Sequence, residues 1–367
     1  MQRIPLGMVG GGQGAFIGAV HRIAARIDDR FSLVAGALSS DAGRAAASAE
    51  AIGLERSYHD WREMARAEAA RPDGIRAVSV VTPNHLHLPV ARAFLEAGIH
   101  VICDKPLSAT LPEADELARV AAASKALLIL TYSYAGYPMI REARRLVAEG
   151  QLGRIRLVHV EFVSDWLARP GRAAQPNWRA DPALGGEGGA IADIGTHAAH
   201  LATYVSGLPI TEVAAELTTF IEGRVIDDNG HAMLRFAKGA KGMLWTSQVA
   251  AGSDNEVRLR VMGDAAGLDW SHADPNRLRL TRLGEPSQTL TRGGPEFEGT
   301  ARLPSGHPEG YLEAFASIYT DAADAIHAGR VPPGLPGIRD GLDGMRFVSA
   351  CLRSSRANGA WQALEGS

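Results

Sequence analysis

The sequence IPLGMVGGGQGAFIG, residues 4–18, decides the fold of the N-terminal part of the chain. Residues 4–9 are apolar throughout and predict a buried strand. The glycine cluster that follows leads into a helix predicted at about 18–27. Glycines in such a loop allow a tight turn and a close approach of phosphate groups, and the helix N-terminus offers them free N–H groups. The stretch is typical of a dinucleotide-binding unit, and a glycine-rich turn without a ligand is the alternative.

The sequence on either side of this loop alternates between strand and helix patterns as far as residue 131. Further strands are predicted at 31–38, 75–81, 100–103 and 126–131, and further helices at 41–52, 87–97 and 111–124. Strands separated by helices imply a parallel sheet with right-handed crossovers. We therefore predict an α/β fold with an N-terminal Rossmann domain, a doubly wound parallel sheet, at residues 1–132.

The pattern changes in the second half of the chain. A helix at 137–149, a strand at 156–163 and a Gly/Pro-rich loop at 165–189 precede a helix at 190–205. At least five strand-like runs follow between residues 212 and 281, and helices at 309–329 and 337–358 close the chain. Consecutive strands without helices suggest a largely antiparallel sheet. We expect a C-terminal α+β domain with a large open sheet at 133–337.

Composition excludes several classes of protein. The net charge is −3, with 38 basic and 41 acidic residues, and no basic face of the kind that nucleic-acid binding needs. The longest apolar runs, such as 126–130, are far too short to cross a membrane, and the N-terminus lacks a signal-peptide layout. The two cysteines, Cys103 and Cys351, favour a reducing compartment. We expect a cytoplasmic protein without nucleic-acid or membrane partners.

The residues after the second strand bear on the choice between NAD and NADP. Sites that prefer NAD usually carry an acidic residue here to hold the ribose hydroxyls, but this sequence has Ser39. Ser39, Ser40 and Arg44 could instead hold a 2′-phosphate. Asp41 opposes this interpretation or merely caps the next helix. The residues favour NADP slightly, and NAD stays open.

Three further segments carry a family resemblance. They are Thr82-Pro83-Asn84-His85-Leu86-His87, Asp104-Lys105-Pro106 and Asp193-Ile194-Gly195-Thr196-His197. With the glycine loop, in this order over essentially the whole chain, the sequence resembles the glucose–fructose oxidoreductase/inositol dehydrogenase/rhizopine-catabolism (GFO/IDH/MocA) family. The resemblance implies a Rossmann domain followed by an open-faced α/β domain. It also implies that a C-terminal helix, about 338–367, packs back on the first domain.

The sequence departs from the family pattern at three places. The third glycine of the loop stands three residues late, as Gly18. The phosphate-binding loop is therefore expected to be wider, with residues 13–17 supplying backbone contacts. The family's Glu-Lys-Pro is Asp104-Lys105-Pro106 here, which shortens the acid by one methylene. His200 stands where the family often has an acidic residue, and we interpret this change as a mark of specificity.

The resemblance implies a catalytic site of Lys105, Asp193 and His197. Asp193 and His197 are four residues apart on a predicted helix and so share one face. His197 can act as general base because its pKa lies near working pH. Asp193 can orient the imidazole or bind a substrate hydroxyl. Lys105 follows the carboxyl end of a strand, where its ammonium can stabilise charge on the reacting oxygen.

Other residues complete the predicted site. The expected cofactor-binding residues are Gly10, Gly12, Gln13, Phe16, Ile17, Ser39, Ser40, Arg44, Thr82, Asn84, His87, Asp104 and Lys105. The expected substrate-binding residues are Lys105, Tyr134, Trp166, Arg179, Asp193 and His197. Packing is the alternative role for His87 and the aromatic residues. Asp193, His197 and His200 could also be interpreted as metal ligands, but we predict no metal.

The function predicted from the sequence is NAD(P)-dependent hydride transfer at a hydroxyl or keto carbon of a sugar, cyclitol or related polyol. Two alternatives remain: a relative that cleaves glycosides with transient use of bound NAD, and a non-catalytic regulator that senses nucleotides. The intact Lys105, Asp193 and His197 argue against the regulator. The alternation in residues 232–236 predicts that the open sheet joins copies of the chain into a homodimer or homotetramer.

Overall fold

The computed structural model describes residues 3–169, 178 and 181–364. The chain divides into two compact units, each made of two segments. The first unit contains Met1–Gly136 and Tyr311–Leu342, and the second contains Tyr137–Gly310 and Asp343–Ser367. No helix in the described ranges is long and apolar enough to cross a membrane.

The first unit is built on a parallel sheet. Its elements are β1 (Ile4–Gly10), α1 (Phe16–Ile27), β2 (Phe31–Ala37), α2 (Ala42–Ala51), β3 (Arg56–Ser57), α3 (Trp61–Ala69), β4 (Ala77–Val81), α4 (His87–Glu96), β5 (His100–Cys103), α5 (Leu111–Ala123) and β6 (Leu128–Leu130). Among the described residues this sheet has six strands in the order β3-β2-β1-β4-β5-β6, and every neighbouring pair is parallel. The predicted Rossmann fold is confirmed.

Residues 53–74, for which the sequence pattern predicts no element, contain β3 and α3. The helix is mostly polar, and Met64 and Ala65 are its buried apolar residues. A buried carboxylate anchors it: Glu68 accepts hydrogen bonds from the guanidinium of Arg56 and from the hydroxyl of Tyr58. This anchor depends on partners outside the helix, so the periodicity of the helix alone did not indicate it.

The second unit is built on a large mixed sheet. Its elements are α6 (Pro138–Ala148), β7 (Ile155–Val163), α7 (Pro182–Gly185), α8 (Ala190–Asp193), α9 (Gly195–Ser206), β8 (Ile210–Thr218), β9 (Asn229–Phe236), β10 (Lys241–Ser247), β11 (Glu256–Gly263), β12 (Ala266–Ser271), β13 (Arg277–Arg282), β14 (Gln288–Thr291) and, near the C-terminus, β15 (Gln362–Ala363). The order within the described residues is β14-β13-β12-β11-β7-β10-β9-β8-β15. Strands β7 and β10 are parallel and the other neighbours antiparallel. The predicted open, mostly antiparallel sheet is confirmed.

The two closing helices are α10 (Tyr311–Ala328) and α11 (Ile338–Arg356). Helix α10 packs against α1 within the first unit. Residues 311–337 therefore group with the first unit, whereas the sequence-based division placed them in the second domain. Most of α11 belongs to the second unit, where Ser354 accepts a hydrogen bond from the backbone N–H of Ala215. The grouping of α10 and that of α11 both differ from expectation because they depend on contacts with segments far away in sequence. Local periodicity carries no information about such contacts.

The predicted helix at 190–205 is interrupted. Ile194, with φ −111° and ψ −26°, separates α8 from α9. Asp193 is therefore the last residue of one helix, while His197 lies in the first turn of the next. The prediction of one continuous helix was wrong at this residue, because φ of Ile194 lies outside the helical range. The loop predicted at 165–189 likewise contains the short helix α7.

Candidate functional site

The glycine loop between β1 and α1 needs glycine for two separate reasons. Gly10 adopts φ +82°, a conformation that residues with a side chain rarely take. Gly18 needs the space: a Cβ atom there would lie 2.4 Å from Cα and 2.5 Å from the carbonyl oxygen of Gly11. The late glycine therefore makes the close approach of helix to strand that a dinucleotide site uses.

The N-termini of α1 and α4 have no cap from a described side chain, unlike those of the other helices beside the parallel sheet. Helices α2, α3 and α5 are capped by the side chains of Asp41, Asp60 and Thr110. At α1 the N-cap residue is Ala15, and no described side chain caps it. The free N–H groups and the positive end of the helix dipole suit a pyrophosphate. The loop thus fits a dinucleotide, and Phe16, with 74% of its surface exposed, lies beside it.

Two partly buried hydrogen bonds connect the glycine loop to neighbouring side chains. The guanidinium of Arg22 donates to the carbonyl oxygen of Gly11 at 2.8 Å. The backbone N–H of Gln13 donates to Oγ of Ser48 in α2 at 3.2 Å. These bonds tie the loop backbone to side chains of α1 and α2.

The segment after β2 is held by its own hydrogen bonds. Oγ of Ser39 accepts from the backbone N–H of Asp41 at 3.1 Å, and the carboxylate of Asp41 accepts from the N–H of Arg44 at 2.8 Å. Asp41 therefore caps α2, one of the two roles expected for it. The side chain of Arg44 is exposed, with its Nε 3.8 Å from the Asp41 carboxylate.

The lysine segment lies at the carboxyl ends of the central strands. The carboxylate of Asp104 accepts from the backbone N–H of Lys105 at 2.9 Å and from Oγ1 of Thr131 at 3.0 Å. The Lys105–Pro106 peptide bond is cis. Nδ1 of His87 lies 2.7 Å from the carbonyl oxygen of Pro106, and Nε2 lies 3.0 Å from that of Thr82. The ring of His87 thus lies between the carbonyl oxygens of Thr82 and Pro106, and its one N–H in the neutral form donates to one of them.

The pKa values of both His87 and Asp104 are lowered, but for different reasons. Burial lowers the pKa of His87, although the charge of Asp104 acts in the opposite direction. Burial raises the pKa of Asp104, but its interaction with His21 and the charge of Lys105 outweigh this and hold that pKa well below its usual value. Asp104 is therefore an anion directly before Lys105 in the chain.

Four other residues predicted to bind cofactor or substrate are placed as follows. Asn84 is buried after β4. Tyr134 is buried in the first unit, in a 3₁₀ helix at Ser133–Gly136. Trp166 belongs to the second unit and is partly exposed in the turn after β7. Arg179, also expected to bind substrate, lies outside the described residues.

The second unit brings together Asp193, His197 and a residue that the sequence analysis missed. Asp193 is partly exposed, and His197 is 8% exposed, with its ring centroid 6.0 Å from that of Phe162. The amide of Gln248 donates to the carboxylate of Asp193 at 2.8 Å. Gln248 is buried just after β10. Its only sequence signal is a polar side chain at a strand end, which many residues share.

A buried carboxylate fixes the start of α8. The two oxygens of Asp227 accept from the backbone N–H groups of Gly189 at 2.6 Å and Ile191 at 2.8 Å. Burial raises the pKa of Asp227 to about 6, although these two bonds partly offset the effect. Asp227 thereby orients the short helix that ends in Asp193.

The stability of the protein should depend on the protonation of Asp227. The pKa of about 6 is raised from the ordinary 3.8, so the folded state holds this proton more tightly than the unfolded chain. The associated stabilisation is complete below about pH 4 and is lost as the pH rises through about 6, with an amplitude on the order of 3 kcal/mol. Urea denaturation of wild type and Asp227→Asn across this range measures it. A difference between the two that stays constant with pH would contradict the prediction.

His200 does not complete a metal site. Its ring packs on Tyr204 with centroids 5.5 Å apart. Across residues 3–169, 178 and 181–364, no group of three or more His, Cys, Asp or Glu side chains is placed to hold a metal ion.

Comparison with known proteins defines the class and then the family. The model of the oxidoreductase family with an NAD-binding Rossmann fold matches residues 4–132. The model of the GFO/IDH/MocA C-terminal domain matches residues 140–269. The protein is thus an oxidoreductase whose first unit is an NAD-binding Rossmann domain. The chain belongs to the GFO/IDH/MocA family.

Three similar proteins illustrate the relationship. An oxidoreductase structure from Sinorhizobium meliloti is 50% identical with a TM-score of 0.91, over 99% of this chain and 100% of that one. An inositol dehydrogenase homologue from Azotobacter vinelandii, in complex with NADH and myo-inositol, is 38% identical with a TM-score of 0.90, over 99% and 98%. The levoglucosan dehydrogenase of Pseudarthrobacter phenanthrenivorans is 29% identical over 76% of each chain.

Proposed function

We propose that this protein is an NAD(P)-dependent dehydrogenase or reductase that acts on a hydroxyl or keto carbon of a sugar, cyclitol or related polyol. The observation that carries the proposal is that the carboxylate of Asp193, four residues before the buried His197, accepts a hydrogen bond from the buried amide of Gln248. The relatives that act on levoglucosan or bind myo-inositol support the substrate class.

The proposed reaction divides into a hydride transfer and a proton transfer. When bound, the nicotinamide supplies the hydride acceptor or donor. His197 takes the proton of the substrate hydroxyl in oxidation and returns it in reduction. Asp193 orients the imidazole or holds a second hydroxyl. The ammonium of Lys105 donates to the reacting oxygen and stabilises its developing negative charge. Tyr134, Trp166 and Arg179 are proposed to contact the substrate.

We propose NADP as the preferred cofactor, with Ser39, Ser40 and Arg44 around the 2′-phosphate. The carboxylate of Asp41 accepts a hydrogen bond from the backbone N–H of Arg44. Because this carboxylate is turned to the backbone, the contact supports the choice of NADP. The exposed guanidinium of Arg44 suits phosphate geometry. The phosphates are proposed to meet the loop at Gly10, Gly12, Gln13, Phe16 and Ile17, with Thr82, Asn84, His87 and Asp104 towards the nicotinamide.

The test begins with binding of NAD(H) and NADP(H) to the purified protein, followed by a panel of sugars and polyols that includes myo-inositol and levoglucosan. Turnover read by nicotinamide absorbance, lost in His197→Ala without loss of cofactor binding, supports the proposal. Glycoside cleavage without net change in absorbance would favour the glycoside-cleaving alternative. Tight binding without turnover of any kind would favour the regulator. No binding of either cofactor would overturn the proposal at its first step.

The contact between Gln248 and Asp193 leads to a prediction. Gln248→Glu places a second carboxylate beside the first, so the pair shares a proton and its pKa rises. We expect kcat to fall about 10- to 100-fold near pH 8 and to recover, relative to wild type, as the pH falls. Gln248→Leu removes the hydrogen bond without adding charge, so its loss should not depend on pH. Equal, pH-independent losses in both variants would contradict the proposed role of Asp193.

We also propose that the outer face of the large sheet joins copies of the chain into a homodimer or homotetramer. Met233 and Met243 are directly paired across β9 and β10 and are 54% and 58% exposed. They border a groove of about 530 Å³ whose other lining residues include Trp245. Contiguous apolar surface of this kind, rimmed by charge, is typical of an interface.

Introducing a carboxylate on this face tests the oligomer. We expect Met243→Glu to shift the protein towards monomer in sedimentation velocity, because a buried unpaired carboxylate is costly. Leu283→Glu is the matched control, since Leu283 is 83% exposed in the same unit, outside the sheet. A monomeric wild type at working concentration would contradict the proposal.

A cytoplasmic location remains part of the proposal. Cys103 and Cys351 are both free and buried, and burial raises the pKa of each thiol well above its usual value. Such thiols serve as packing groups, which suits a reducing compartment.

A further inference from the structure

A row of buried polar side chains crosses the first unit behind Lys105. Oγ of Ser79 lies 2.7 Å from the hydroxyl of Tyr319, and that hydroxyl lies 2.8 Å from Nδ1 of His21. On the other side of the ring, Nε2 of His21 is 3.9 Å from the carboxylate of Asp104. Ser79, His21 and Tyr319 are at most 1% exposed. We call these four residues the buried relay.

The direction of the hydrogen bonds in the buried relay follows from its end. Asp104 is an anion that accepts from Lys105 and Thr131, and its charge, 3.9 Å from Nε2 of His21, favours a proton on that nitrogen, although the distance is too long for a hydrogen bond. In the neutral ring, Nδ1 then accepts from the hydroxyl of Tyr319. That hydroxyl in turn accepts from Ser79. Burial raises the pKa of Tyr319, so its proton stays available for this bond.

The buried relay connects α1, β4, the segment after β5 and α10, and the proposed reaction needs these elements in a fixed relative position. His21 lies in α1, the helix that opens with the glycine loop, and Ser79 lies in β4. Asp104 follows β5 and binds the backbone N–H of Lys105. Tyr319 belongs to α10, and its ring and that of Phe315 pack edge-on against the imidazole. The side chain of Asp104 is 14% exposed, and those of Ser79, His21 and Tyr319 are buried.

We propose that His21 and Tyr319 are positioning residues for Lys105, which they hold through the carboxylate of Asp104 in a fixed orientation to α1. The inference rests on the proposed function, in which Lys105 donates to the reacting oxygen. A hydroxyl that orients an imidazole, which in turn orients a carboxylate, fixes the tautomer and the ring position. The titratable groups that face the imidazole are Tyr319 and Asp104, and Asp104 also senses the charges of Lys105 and His87.

The variant Tyr319→Phe tests the inference with the loss of one oxygen. Without that partner, the ring keeps a proton towards Asp104 only by becoming a cation or by losing a hydrogen bond at Nδ1. We expect kcat to fall about tenfold, the loss expected from one buried hydrogen bond. The dissociation constant of the cofactor should be unchanged.

Two further variants complete the test. Tyr58→Phe removes a hydroxyl that donates to Glu68 at 2.9 Å in the same unit, and it should alter neither kcat nor its pH profile. His21→Asn removes the ring that lies between Tyr319 and Asp104, so it should lower kcat at least as much as Tyr319→Phe does. A Tyr319→Phe variant that loses thermal stability while keeping the wild-type kcat at every pH would overturn the inference and leave the proposed function intact.

A spectroscopic measurement does not depend on turnover. Nitrogen NMR of the imidazoles, with His21 assigned by its variant, should show the Nε2–H tautomer of His21 in wild type. An Nδ1–H tautomer in wild type would overturn the inference even if no substrate were found. Failure of the whole substrate panel with the expected tautomer would instead count against the proposed function.

Discussion

Gly18→Ala should abolish tight cofactor binding. The new Cβ would lie 2.4 Å from Cα and 2.5 Å from the carbonyl oxygen of Gly11, both backbone atoms of the phosphate loop. Since neither atom belongs to a flexible side chain, α1 and the loop must move apart. Overpacking of this kind costs about 1–3 kcal/mol of stability. A misplacement worth about 3 kcal/mol in binding raises the dissociation constant roughly 100-fold.

Gly43→Ala is the matched control, because Gly43 is also helical, in the first turn of α2. A Cβ there would meet only the carboxylate of Asp41, at an ordinary 3.5 Å. Alanine also has the higher helix propensity, so thermal stability should be unchanged or slightly higher. Cofactor titration by fluorescence and thermal denaturation measure both variants. Equal cofactor affinity in Gly18→Ala and wild type would show that the loop tolerates the displacement and that it does not grip the phosphates as proposed.

Lys105→Met should lower kcat by about 10²- to 10³-fold, the usual cost of losing one preorganised donor to a developing oxyanion. Methionine keeps much of the length and packing of the side chain but removes the charge and the hydrogen-bond donor. The backbone N–H of Lys105, which binds Asp104, is retained. The dissociation constant of the cofactor should therefore change little, and the effect should appear in kcat rather than in binding.

Lys125→Met is the control for this prediction, because Lys125 is exposed in the same unit between α5 and β6. It removes the same charge at a surface position and should leave kcat unchanged. Steady-state kinetics with the best substrate of the panel measure both variants. If Lys105→Met raised KM with an unchanged kcat, Lys105 would contribute equally to ground-state and transition-state binding, and its catalytic role would be excluded.

Much of the fold could be predicted from the sequence, because local patterns determine it. The apolar strand at 4–9, the glycine loop and the alternation of strand and helix were sufficient for the Rossmann sheet. The change to consecutive strands was sufficient for the second sheet. The family segments gave Lys105, Asp193 and His197 as candidates, and their catalytic roles stay predictions.

The rest depends on contacts between residues far apart in sequence. Gln248 meets Asp193 across 55 residues, and Asp227 meets Gly189 across 38. Tyr319 reaches His21 across 298 residues. Each is a single polar side chain whose partner is set by the packing of whole elements, so no local period indicates it. For the same reason α10 could not be assigned to the first unit from its own sequence.

The order of the segments has a consequence during synthesis on the ribosome. Tyr319 follows Ser79 by 240 residues, so at ordinary elongation rates it emerges on the order of 10–50 s later. In that interval the strands of the second unit up to β14 have already been made. A nascent chain stopped before Tyr311 therefore carries a first unit in which α1 lacks the helix that covers it and His21 lacks its hydroxyl partner.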